Sequence, residues 1–126
     1  MGLLAPFRQR KRHTDLQRIG DAGEERALIY LQQQRLTLVE RNFRCKGGEI
    51  DLVMQTAGIL VFVEVRSRTA GRHGNAADSV TRNKQKRLIV AAQIYLQRYR
   101  HPPACRFDVV AIDGAVITWL QNAIDS

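Results

Sequence analysis

Gly47-Gly48-Glu49-Ile50-Asp51-Leu52-Val53-Met54, followed after a short break by Ile59-Leu60-Val61-Phe62-Val63-Glu64-Val65-Arg66, decides how this chain is read. Both runs are apolar and rich in β-branched residues, so both read as strands. Thr56-Ala57-Gly58 between them makes a hairpin the economical connection. Side chains alternate faces along a strand. Glu49 and Asp51 therefore share one face, with Ile50, Leu52 and Met54 opposite. On the second strand Glu64 and Arg66 share a face, with Val61, Val63 and Val65 opposite. Charges in such an apolar hairpin are costly to bury unless they are paired or hold a metal.

Upstream, Asp21-Ala22-Gly23-Glu24 reads as the start of a helix running to about Arg35. Asp21 is the expected N-cap and Glu24 stands in capping-box position. Glu24 also extends the apolar stripe of Ala27, Leu28 and Leu31, which aims it at the sheet from the helix's positive end. Leu36 to Arg44 reads as a strand entering the Lys46-Gly47-Gly48 turn. Downstream, Ser67 to Asp78 reads as a basic, glycine-rich loop in which Arg68 and Arg72 are candidate nucleic-acid contacts. An ordinary surface loop is the alternative, and His73 there has no partner in the sequence.

Asp78 or Ser79 is the expected cap of a second helix reaching about Arg98. Its apolar set is Leu88, Ala91, Ala92 and Tyr95. Lys84 lies one turn before Leu88 on the same stripe, so its amine can reach the acidic face of the hairpin. The alternative is an ordinary snorkelling lysine. Arg82, Lys86 and Arg87 point elsewhere and form a phosphate-facing flank. Arg106 to Ile112 is a further strand, Asp113-Gly114 a turn signal, and Ala115 to Leu120 a returning strand. Asp108 reads as an ordinary strand or edge polar residue.

At 126 residues the chain is long enough for one real core, expected over residues 19–126 behind a basic N-terminal arm of residues 1–18. No run approaches the roughly 18 apolar residues of a membrane span, and no secretory signal is expected. A cytoplasmic protein without membrane contact is the expectation. Cys45 and Cys105 lack the spacing of a zinc site or a disulfide framework. The net charge is +8, and 16 of the 20 basic residues are arginine. Between Val65 and Phe107 ten basic residues face a single acid, Asp78. That asymmetry points to a polyanion, nucleic acid first, and the arginine bias favours phosphate.

The expected order is helix, three strands, helix, two strands. A helix-borne Glu24, Asp51 and Glu64 then converge at one end of the sheet. Such carboxylates make an all-oxygen site suited to Mg²⁺ or Mn²⁺. A divalent ion activates water and offsets charge building on a phosphodiester, and a neighbouring cation steadies the transition state.

Asp51 with Glu64-Val65-Arg66 resembles the PD-(D/E)xK nuclease motif, and Glu24 matches the helix-one acid of its Holliday-junction-resolvase-like branch. More closely, Gly23-Glu24, Gly48-Glu49-Ile50-Asp51-Leu52, Val61 to Arg66, Lys84 and Arg106 to Val110 resemble the YraN-type family of predicted bacterial endonucleases. The resemblance covers about residues 20 to 120. It implies an α/β fold with a restriction-endonuclease-like αβββαβ core, a mixed central sheet flanked by helices and an extra C-terminal strand. It also implies a metal held by Asp51, Glu64, the Val65 carbonyl and Glu24, with Arg66 and Lys84 as catalytic partners and Glu49 as a supporting acid.

The superfamily has lysine where this chain has Arg66. Arginine stays protonated and cannot be a general base, but it can clamp phosphate. Lys84 can supply the missing amine. The expected function is metal-dependent hydrolysis of DNA, including structure-selective cleavage, for which a homodimer would suit. DNA is favoured over RNA. The alternative is a non-catalytic nucleic-acid-binding module. A third reading is an interaction domain whose carboxylates pair internally with Arg66 and Arg68.

Overall fold

The structure, a computed structural model, describes residues 15–68 and 76–124, with side chains from residue 21 onward. Its elements are α1 (Asp15–Gln33), β1 (Thr37–Cys45), β2 (Gly48–Thr56), β3 (Ile59–Arg68), a 3-10 turn (Ala76–Ser79), α2 (Arg82–Leu96), β4 (Cys105–Asp113) and β5 (Val116–Leu120). The strands form one mixed sheet in the order β1-β2-β3-β4-β5. Neighbours pair antiparallel except β3 and β4, which are parallel. A parallel pair needs a long crossover, and the segment containing α2 supplies it.

Each face of the sheet has its own apolar cluster, because β2, β3 and β4 carry hydrophobic residues on both sides. Ala27, Leu28 and Leu31 of α1 pack on Leu52, Met54, Val61, Val63 and Val65. Leu88, Ala91, Ala92 and Tyr95 of α2 pack on Ile50, Val53, Leu60, Phe62 and Phe107. The expected apolar stripes of both helices are therefore the buried ones.

Several boundaries differ from expectation. α1 begins at Asp15, so Asp21 and Glu24 lie in the helix body, and the capping-box reading gives way. The expected arm thus overlaps α1 from Asp15 to Arg18, and residues 1–14 lie outside the described residues. β3 runs on to Arg68, which pairs in register with Asp113. Ala76–Ser79 is the 3-10 turn instead of loop, and Arg72 and His73 lie outside the described residues. The cap of α2 is Thr81, whose side chain accepts from the Lys84 N–H, so neither Asp78 nor Ser79 caps it.

Strict alternation along β2 also fails. Ile50 packs under α2, whereas Leu52 and Met54 pack under α1. The break falls at Asp51. In the β1–β2 ladder Arg41 pairs with Leu52 and Phe43 with Ile50, and between them Asn42 has a left-handed backbone with φ of 52°. The break in alternation therefore lies opposite a left-handed residue of the partner strand, within a continuous register.

Asp108 is fully buried on the interior strand β4, so it is no edge residue. Its carboxylate accepts from Arg106 Nε at 3.0 Å, Trp119 Nε1 at 2.9 Å and the Asn122 N–H at 2.8 Å. A buried charge with this many donors is satisfied, and it fastens β5 and the following turn to the sheet.

Two glycines allow helices to lie close on strands. A Cβ at Gly23 would run into the Ser67 hydroxyl, and one at Gly48 would collide with the Arg87 carbonyl oxygen. Gly48→Ala therefore has to push α2 off β2. We expect it to lose about 1–3 kcal/mol of stability, the usual cost of overpacking, in a denaturant titration against wild type.

Candidate active site

The site forms where the β2–β3 ladder stops. Its last paired residues are Leu52 and Val63. One step beyond, the Val65 N–H donates to Asp51 Oδ2 at 2.8 Å, so a side chain replaces the next ladder bond. The strands can then separate while the backbone donor stays satisfied. The opening beside them is a cavity of about 410 Å³ lined by Glu49, Asp51, Glu64, Arg66, Asn83, Lys84 and Arg87.

Two of its carboxylates, Asp51 and Glu64, are poorly solvated, whereas Glu49 is exposed. Glu64 is buried at 8% exposure, and its pKa is pushed up to about 8. Desolvation is the main cause and repulsion from Asp51 the next, offset in part by Arg66 and Lys84. Burial likewise raises Asp51, while the Val65 N–H pulls the other way. Arg66 Nη1 stands 3.5 Å from Glu64 Oε2. The pKa of Lys84 is lowered by desolvation and by the neighbouring Arg66 guanidinium. The cavity thus holds two carboxylates that resist ionising together and an amine made easier to deprotonate.

Sequence reasoning placed Asp51, Glu64, Arg66 and Lys84 together, and all four line the cavity with Glu49. Arg87 corrects the expectation of an outward, phosphate-facing flank. It lines the cavity and pairs with Glu49 at 3.3 Å. Its spacing of three from Lys84 was the available signal. Asn83 was missed, having only its neighbour Lys84 to mark it. Arg82 and Lys86 are exposed on α2, and Arg68 is half-buried in β3.

Glu24 does not line the cavity. It is half-buried on α1, whose apolar stripe packs on the other face of the sheet. It still senses Asp51. Desolvation and then repulsion from Asp51 raise its pKa to about 7, while Arg41 and a hydrogen bond from Asn42 oppose the rise. Among the described residues, no three Asp, Glu, His or Cys side chains are grouped as a complete cage for a metal ion.

Residues 23–112 match the profile of the uncharacterised protein family UPF0102. The chain belongs to the UPF0102 family. It is 64% identical over 123 residues to a UPF0102 protein of Herminiimonas arsenicoxydans, with 98% of each chain covered. It is 65% identical over 113 residues to one from a Janthinobacterium species, covering 90% of this chain and 92% of that one. A Ralstonia pickettii relative is 62% identical over 109 residues, covering 82% of this chain and 87% of its own. The family match spans α1 from Gly23 through most of β4, so it contains every residue of the cavity. Among the described residues of this UPF0102 chain, no helix is long and apolar enough to cross a membrane.

The raised carboxylates make stability depend on pH. Glu64 and Glu24 bind a proton more tightly folded than unfolded, so their contribution is full below about 4.5 and is lost as pH rises through about 7 to 8. In the presence of a chelator, Glu64→Gln removes the Glu64 share. Its stability relative to wild type should rise between pH 5 and pH 9 by up to a few kcal/mol, read from denaturant midpoints. A gap that stays constant with pH would contradict the assignment.

Proposed function

We propose that this UPF0102 protein hydrolyses phosphodiester bonds in DNA with the aid of Mg²⁺ or Mn²⁺, on a restriction-endonuclease-like fold of the PD-(D/E)xK type. The observation that carries the reading is the pairing of Asp51 and Glu64 at the ladder's end, in a cavity whose other walls bring Arg66 and Lys84. Two adjacent carboxylates, Glu64 buried and Asp51 half-buried, that resist ionising together suit a hard divalent cation, which would relieve both desolvation and repulsion. Mg²⁺ is commonly held by one or two carboxylates and completes its shell with water and substrate phosphate. Asp51 and Glu64 fit that donor set. Glu24 supports the site through the charge of Asp51. When bound, the ion would supply charge neutralisation and water activation.

The chain's own residues have separable tasks. Arg66 lies beside Glu64 on the cavity wall, and its guanidinium can hold a non-bridging phosphate oxygen. Lys84 Nζ, depressed by burial and by Arg66, can orient the attacking water and take a proton from it. Arg87 holds Glu49 by an ion pair, limiting how many negative charges face an incoming phosphate. At the first turn of α2 Arg82 and Lys84 stand where the helix dipole disfavours cations. That local cost makes sense if the surface meets a polyanion. The excess of arginine over acid across residues 66–106 supports nucleic acid as that polyanion.

The Glu64–Arg66 ion pair favours a second reading, a module that binds nucleic acid without cutting it. Nicking assays on duplex, flap and four-way-junction DNA separate the two. We expect Mn²⁺- or Mg²⁺-dependent cleavage of at least one substrate. Asp51→Ala and Glu64→Gln should abolish it, and Lys84→Ala should slow it by about 10²-fold or more. Calorimetry should show Mn²⁺ binding to wild type, with protons released on binding near pH 7, and none to Asp51→Ala. Salt-sensitive DNA binding without any cleavage would leave the binding module standing.

A further inference from the structure

A 3-10 turn outside the cavity reaches into it through one hydroxyl. Arg66 Nε donates to Ser79 Oγ at 2.9 Å. Ser79 Oγ in turn donates to the Ala76 carbonyl at 2.6 Å. The Ala76 N–H donates to Asp113 Oδ1 at 2.7 Å, at the end of β4. The line therefore runs from the sheet, through the turn, to the guanidinium facing Glu64. Ser79 is 13 residues from Arg66 and does not line the cavity. Two residues beyond Ser79, Thr81 caps the helix that presents Lys84.

We propose that Ser79 is the positioning residue for Arg66, with Asp113 anchoring the turn that carries it; this rests on the nuclease reading above for its consequence in catalysis. The chemistry of guanidinium explains the device. Arg66 has five N–H donors and no acceptor, so its orientation is set by whichever acceptors hold it. Ser79 Oγ takes the Nε–H, which fixes the plane of the group. The hydroxyl's own proton is committed to Ala76, so the Oγ lone pairs point at Arg66 and not at random. Glu64 takes one Nη1–H at 3.5 Å, a long contact that would not hold the side chain alone. Held in this way on the cavity wall, the guanidinium can meet a phosphate. Without Ser79 the side chain gains rotamers and has to give them up again when the transition state forms.

The test has two arms, and the first needs neither metal nor DNA. Proton exchange of the Arg66 Nε–H is measured by NMR in wild type, Ser79→Ala and Ser79→Thr. We expect Ser79→Ala to exchange about tenfold faster or more, the loss of one well-made hydrogen bond. Ser79→Thr keeps the hydroxyl and should restore protection. The second arm is DNA cleavage. Ser79→Ala should lower kcat by about tenfold with KM within about twofold, the pattern of an interaction spent in the transition state. Ser79→Thr should recover most of it, and thermal midpoints should stay together. Unchanged Nε–H exchange in Ser79→Ala overturns the brace. Faster exchange with wild-type kcat overturns its role in catalysis. A wild type that cuts no DNA defeats the nuclease reading, while the exchange arm still decides whether Ser79 holds Arg66.

Discussion

The hydrogen bond from the Val65 N–H to Asp51 is the contact on which the rest of the site depends. Sheet strands stay together because every backbone donor finds a ladder partner. At Val65 the partner is a carboxylate instead of a carbonyl. That exchange lets β2 and β3 part without stranding a donor, and it pins Asp51 beside Glu64. Both acids are nonetheless hard to ionise, a burial effect that the Val65 N–H opposes at Asp51. The carboxylates sit at the mouth of a sheet whose two faces are already covered by helices, where water is scarce and like charges are close.

Each remaining feature feeds that opening. The left-handed Asn42 of β1 lies opposite Asp51, where Ile50 and Leu52 fall on different faces. Gly48 lets the backbone of α2 rest on the start of β2, which sets Lys84 and Arg87 over the acids. The 3-10 turn fastens Arg66 through Ser79 and leads straight into the cap of α2. A single short turn thus fixes the positions of both cations. On the far side of the sheet, Asp108 gathers Arg106, Trp119 and the Asn122 N–H, holding β5 and the C-terminal turn in place. The two buried acids have opposite fates. Asp108 is saturated with donors and serves structure. Glu64 meets Arg66 at a long 3.5 Å and lines the cavity.

Much of this was legible in the residues. The two helices, the hairpin, the Asp113-Gly114 turn and the buried stripes of α1 and α2 follow from apolar spacing, because burial has to repeat with the period of the element. Asp51, Glu64, Arg66 and Lys84 could be gathered in advance because charges in otherwise apolar stripes have few places to go. Helix starts were harder. Asp21 looks like a cap, yet α1 begins six residues earlier, at Asp15. The same holds for Asp78 and Ser79, since several polar residues competed for one cap and only Thr81 has the extended backbone that capping needs.

The sequence by itself determined the buried stripes of the two helices, which strands neighbour one another along the hairpin, and which four side chains gather at the cavity. These are local consequences of hydrophobic period and of the cost of buried charge. Only the tertiary structure decided that Glu24 stays outside the cavity, that Arg87 enters it to hold Glu49, and that Ser79 and Asp113 steady Arg66. Those contacts join residues 13 to 38 positions apart. Their geometry depends on where a strand breaks its alternation and how closely a helix lies on it, and neither leaves a periodic trace in the chain.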